Sequence, residues 1–178
     1  MVLHMFFTSA SRIVEEHGGV VEQMVGDGLL AVWNGSSPCA AHTERALEAA
    51  QALWQVCTPQ LPRIASRKVP PLDLGIGIET GTILIGSFGP VSRRVHTVLG
   101  ETVSIAARLQ ALTGELACPI LVGEAAAAAQ PAGRLRKLGD FLLEGLTAQR
   151  TVYELPVNYA PGRLHLAFDA DAEQRAAG

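Results

Sequence analysis

Two apolar runs, Val20–Val25 and Leu29–Trp33, are separated only by Gly26-Asp27-Gly28. Glycine and aspartate tolerate the positive φ of tight turns, so runs this close fold back on each other as a β-hairpin. Ahead of the hairpin, Leu3, Phe7, Ala10 and Val14 recur at helical spacing, and His17-Gly18-Gly19 supplies a stop. Residues 2–17 therefore read as an amphipathic helix. Beyond the loop Asn34–Pro38, Leu47, Ala50, Leu53, Trp54 and Cys57 mark a second helix over about 40–57.

A connector rich in Pro and Arg, Pro59–Pro71, leads into Leu72–Ile78 and Thr82–Phe88. These are β-branched and alternating, and Glu79-Thr80-Gly81 between them reads as a second hairpin turn. Val95–Leu99 is a short extended piece. Ile105, Leu109 and Leu112 share one face of a third helix over Glu101–Leu112. Ile120–Val122, the alanine run Ala125–Ala129, Arg134–Leu143 and Thr151–Leu155 read as strand, short helix and two strands. Helices mixed with hairpins, not alternating with single strands, indicate an α+β fold with a mostly antiparallel sheet. Its helices are expected on one face.

The 178 residues suit one domain over 1–156, followed by a tail or linker over 157–178. With 48% apolar and 17% charged residues, a true core is available and disorder is not expected. A net charge of −3 argues against a nucleic-acid or anionic-membrane binder. No apolar run is long enough to span a bilayer, and the N-terminus lacks the basic region of a signal peptide. Cys39, Cys57 and Cys118 are odd in number and lack metal-type spacing, so they read as reduced, buried thiols in a cytoplasmic protein.

Four segments carry the candidate chemistry. They are His17–Val32 with its Gly26-Asp27-Gly28, His42–Ala50, Leu74–Gly81 continuing to Gly86, and His96–Leu109. Read together and in this order, they resemble the class III nucleotide cyclase (adenylate/guanylate cyclase) catalytic domain. The resemblance covers about residues 10–155, and the last segment is its most specific part. It implies a ferredoxin-like α+β domain working as a homodimer, or as a heterodimer with a related chain, with active sites between the chains. The implied reaction is attack of a ribose 3′-hydroxyl on the α-phosphate of a nucleoside triphosphate, expelling pyrophosphate. Two divalent metals, Mg²⁺ or Mn²⁺, sit between a pair of aspartates and the phosphates in that family.

Carried over residue by residue, Asp27 matches the second metal aspartate, although Gly-Asp-Gly is also ordinary hairpin chemistry. Arg108 matches the arginine that stabilises charge on the transferring phosphate. Ser104, one helical turn earlier, stands where the family usually has an asparagine that orients the ribose. Gln23 and Thr97 occupy the two base-selecting positions. The Gln23 amide can donate to adenine N1 and the Thr97 hydroxyl can accept from N6, which favours ATP; rotation of the amide leaves GTP open. Gln23 replaces the usual lysine. Glu144, in Leu143-Glu144-Gly145, stands where the family has a triphosphate-binding lysine, so an acid replaces a base there.

The family's first metal aspartate lies on a strand ahead of the first helix, in a Phe-x-Asp motif. This chain starts inside that helix, so the first strand is expected to be missing and one metal carboxylate with it. A misplaced start or a fragment is the preferred explanation, ahead of a strand supplied by a partner. Little turnover is expected from this chain alone. The alternative function is a non-catalytic cyclase-homology module that dimerises and regulates a partner. A dinucleotide-binding reading of Gly75-x-Gly77-x-x-x-Gly81 is disfavoured, because a strand-like run follows where a helix N-terminus is needed.

Overall fold

The computed structural model describes residues 2–57 and 74–157. In chain order the elements are α1 (Val2–Glu16), β1 (Val20–Val25), β2 (Gly28–Val32), α2 (His42–Cys57), β3 (Ile76–Ile78), β4 (Leu84–Phe88) and β5 (Val95–Leu99). Then follow α3 (Glu101–Leu116), β6 (Ile120–Gly123), α4 (Glu124–Ala128), β7 (Arg136–Phe141) and β8 (Arg150–Glu154). The connector expected over 59–71 and the tail expected over 157–178 lie outside the described residues, apart from Val157.

The first hairpin forms as the sequence suggests. Val25 pairs with Gly28 across the two-residue turn Gly26-Asp27, and Gly26 takes the positive φ of 61° that the turn needs. The second expected hairpin does not form. Ile76–Ile78 instead pairs in parallel with Ile120–Val122, while Leu84–Phe88 pairs antiparallel with Val95–Leu99. Where the turn was expected, the Glu79 carboxylate accepts from the backbone N–H of Thr80 and of Ala126 at 2.9 Å each. This ties the end of β3 to α4.

Among the described residues three ladders result: β1–β2, β4–β5, and a four-stranded sheet in the order β3-β6-β8-β7. In that sheet only the β3–β6 pairing is parallel, so the fold is α+β and mostly antiparallel. All four residues of β6 are buried. Ile120 and Val122 join Ala46, Leu47 and Ala50 of α2 and Ala126 of α4. Leu121 points the other way, to Ile105 and Leu109 of α3 with Leu143 and Val152. β6 therefore packs against α2 and α4 through one set of side chains and against α3 through the other. Each large aliphatic side chain in these clusters contributes about 1.5–3 kcal/mol by burial.

Close approach of α3 to β3 explains the spaced glycines. A Cβ on Gly77 would collide with the Ala106 carbonyl, and one on Gly75 with the Thr113 hydroxyl. Gly75-x-Gly77 is thus a packing device beneath α3. That helix runs on past Leu112 to Leu116, where Ala117 ends it in the left-handed conformation at φ 50°. The first helix is held in the same spirit. Trp33 donates its indole N–H to the His17 carbonyl at 3.0 Å and packs against Ile13, Ala49 and Val56. Cys118 is buried, as expected, but Cys39 is only half-buried; both are free thiols. Among the described residues, no helix is long and apolar enough to cross a membrane.

Candidate active site

The six residues singled out by the sequence fall into three places. Gln23 on β1 and Thr97 on β5, 74 positions apart, meet directly: the Gln23 amide donates to the Thr97 hydroxyl at 2.5 Å. Beside them, His96 donates from its ring Nε2 to the Glu22 carboxylate at 3.0 Å. A β-bulge between Val21 and Gln23 shifts the register there.

From Thr97 the chain passes through Val98, Leu99 and Gly100 into α3. Ile105 and Leu109 bury one side of this helix, which leaves Ser104 and Arg108, one turn apart, exposed on another. Arg108 Nη1 donates to Glu144 Oε2 at 2.9 Å. Glu144 reaches it from the loop after β7, where buried Leu143 anchors the chain under α3. The two side chains are 43% and 82% exposed, so this pair stabilises by about 0.2–1 kcal/mol and opens readily.

Asp27 stands apart, exposed at the tip of the β1–β2 turn. Among the described residues, no hydrogen bond or ion pair joins it to the other five. Nor do those residues contain any group of three or more His, Cys, Asp or Glu side chains able to hold a metal ion. Among the described residues of one chain, Asp27 is thus a carboxylate without a second metal-ligating side chain grouped beside it.

Sequence reasoning passed over Glu22, His96 and Glu79. A bulge that buries a glutamate has no local signature, and His96 gave only a dispersed histidine. Glu79 was legible only as a turn residue, yet with Thr80, Glu101, Thr102, Ile105 and Arg150 it lines a cavity of about 320 Å³. Burial pushes its carboxyl above the ordinary value of 4.5, against the lowering effect of the Thr80 and Ala126 N–H groups. The native chain therefore holds this proton more tightly than the unfolded chain. Glu79's contribution to stability is full below about pH 4.5 and is lost as pH rises through its raised value. Thermal unfolding across a pH series is expected to show a shallower decline above pH 4.5 in Glu79→Gln than in wild type. An identical slope would remove Glu79 as the source.

The model of the adenylate and guanylate cyclase catalytic domain matches residues 1–154. The chain belongs to that family. The cyclase domain is 31% identical to an adenylate cyclase of Anabaena cylindrica over 123 residues, covering 68% of this chain and 24% of that protein. It is 28% identical to adenylate cyclase 1 of Rhizobium meliloti over 155 residues, covering 86% of this chain and 23% of the relative. The chain spans about a quarter of the length of these curated relatives. In fold, the cyclase domain resembles the guanylyl cyclase Cya2, with a TM-score of 0.75 at 22% identity over 93% of this chain and 84% of that one. It also resembles the adenylyl cyclase CyaB of P. aeruginosa, with a TM-score of 0.74 at 20% identity over 88% and 81%. The expected class III cyclase fold is borne out, and the domain is a class III cyclase-like domain related to adenylate cyclases.

Proposed function

We propose that this cyclase domain binds a nucleoside triphosphate, ATP in preference to GTP, in a cleft between two chains. The observation that carries the reading is the direct contact of Gln23 with Thr97, two residues assigned to base reading on sequence grounds alone and now joined by 2.5 Å. In this orientation the Gln23 amide donates inward to Thr97. Its oxygen is then turned to accept from adenine N6–H, while the Thr97 hydroxyl proton donates to N1. These roles reverse those read from the sequence, but the pattern they offer still complements adenine. Ser104 orients the ribose, and Arg108 neutralises charge on the phosphates. The product would be cyclic AMP, with pyrophosphate released.

Asp27, from the opposite chain, is the residue that would hold Mg²⁺ or Mn²⁺, which lowers the charge on the phosphates when bound. A lone exposed carboxylate holds a divalent ion weakly, so the ion would arrive largely with the nucleotide. This reading places the domain in the cytoplasm, where its triphosphate substrate is found. Titration of the chain with ATP and GTP in Mg²⁺ tests it. Tighter binding of ATP, abolished by Gln23→Ala, is expected; equal or absent binding of both would overturn it.

The second reading, a regulatory module without turnover, is favoured by one observation: Arg108 already has an anionic partner in Glu144. A triphosphate must displace that carboxylate and then meet its repulsion. Glu144→Lys is expected to tighten ATP binding about tenfold at low salt, the gain shrinking as salt screens it. An unchanged affinity would show that Glu144 does not compete. Binding without product formation supports the module; measurable turnover removes it.

A further inference from the structure

We infer that the Glu22–His96 pair positions the base-reading residues, a role that rests on the nucleotide-binding reading above. The hairpins β1–β2 and β4–β5 belong to separate ladders, and no backbone pairing joins β1 to β5 among the described residues. Gln23 sits on one hairpin and Thr97 on the other, so their alignment depends on side chains. The Gln23–Thr97 bond joins neutral groups and must adjust when a base arrives. A second bond lies one residue away on both strands, from His96 Nε2–H to the Glu22 carboxylate at 3.0 Å. An ionised acceptor makes it about twice as strong as a neutral bond.

The burial pattern argues that this pair is built. Glu22's side chain is only 6% exposed while that of His96 is 54% exposed. A carboxylate removed from water needs a donor, and His96 supplies one. On a regular strand, Glu22 and Gln23 would point to opposite faces. Here Val21 pairs with Ala31 and Gln23 with Leu30, so Glu22 is the extra residue of a bulge. Bulges bend a strand and re-aim its side chains. This one lets consecutive residues of β1 both reach β5.

Held this way, Gln23 keeps its amide nitrogen toward Thr97 and its oxygen free. Release of the clamp lets the amide rotate, exchanging donor for acceptor and offering guanine a matching edge. His96 therefore governs selectivity between bases more than affinity for triphosphate. The test compares ATP and GTP dissociation constants for the purified chain, His96→Ala and His96→Gln, whose amide can still donate to Glu22. His96→Ala is expected to shrink the ATP-to-GTP preference about three- to tenfold with little change in Tm, and His96→Gln to restore most of it. The Gln23 side-chain amide resonances, read without nucleotide, should shift in His96→Ala and return in His96→Gln.

An unchanged preference in His96→Ala, with both nucleotides still bound, overturns the inference and leaves the nucleotide reading intact. Unmoved Gln23 resonances overturn it as well. If the wild-type chain binds neither nucleotide while those resonances still respond, the nucleotide reading fails; the pair is then a brace between hairpins, and its role in base selection is overturned.

Discussion

An Asp27→Ala chain mixed with an Arg108→Ala chain is expected to regain up to about a quarter of wild-type activity, each variant alone falling about 100-fold or more. The geometry motivates this. Arg108 lies exposed on α3, engaged by Glu144, while Asp27 lies exposed at the tip of a separate hairpin. No bond joins the two within the described residues of one chain, so a site that uses both is most simply completed across a dimer. In a two-fold dimer, random mixing makes half of the molecules mixed, and each of those rebuilds one of its two sites. The wild-type signal is itself expected to be low, so product must be accumulated over long incubation and compared with both single variants. No recovery, in a mixture shown by native mass spectrometry to contain the mixed dimer, would overturn the arrangement in trans.

Gly77→Val is expected to destabilise the fold by about 3 kcal/mol, lowering Tm by roughly 6–12 °C. A Cβ at this position meets the Ala106 carbonyl and the Gln110 backbone nitrogen, neither of which can rotate away as a side chain would. Relief requires α3 to lift from β3, which opens the cluster of Leu109, Leu121 and Val152, all fully buried. The same movement shifts Ser104 and Arg108, so nucleotide binding should weaken alongside stability. Gly114→Ala, on the same helix with nothing within 4 Å of the added atom, is the control and should leave Tm unchanged or slightly raised. Equal behaviour of the two variants in thermal unfolding would remove the close-packing explanation.

How far the sequence reaches differs sharply between elements. The turn Gly26-Asp27 announces its own geometry, because its residues carry the backbone preference that the turn requires. Helices α1, α2 and α3 are legible from the spacing of apolar residues, which is a local property. The pairing of β3 is not. An alternating apolar run says that a strand exists and which face is buried, but not which strand will lie beside it. The surroundings of β3 are set by distant groups: β6 lies beside it, and the Ala126 N–H donates to the Glu79 carboxylate from 47 positions away.

The candidate site divides in the same way. Gln23, Asp27, Thr97, Ser104, Arg108 and Glu144 could be named from motif order, since motif spacing survives in a linear chain. Their relations could not. The bond from Gln23 to Thr97, the capture of Arg108 by Glu144 and the burial of Glu22 opposite His96 join residues 74, 36 and 74 positions apart. The sequence by itself determined the local elements and the α+β class and named the candidate site residues, because turn chemistry, periodicity and motif order act over a few residues. Only the tertiary structure decided strand partners, the orientation of the Gln23 amide and the ion pair on Arg108, because each depends on which distant groups the packed core brings within hydrogen-bonding reach.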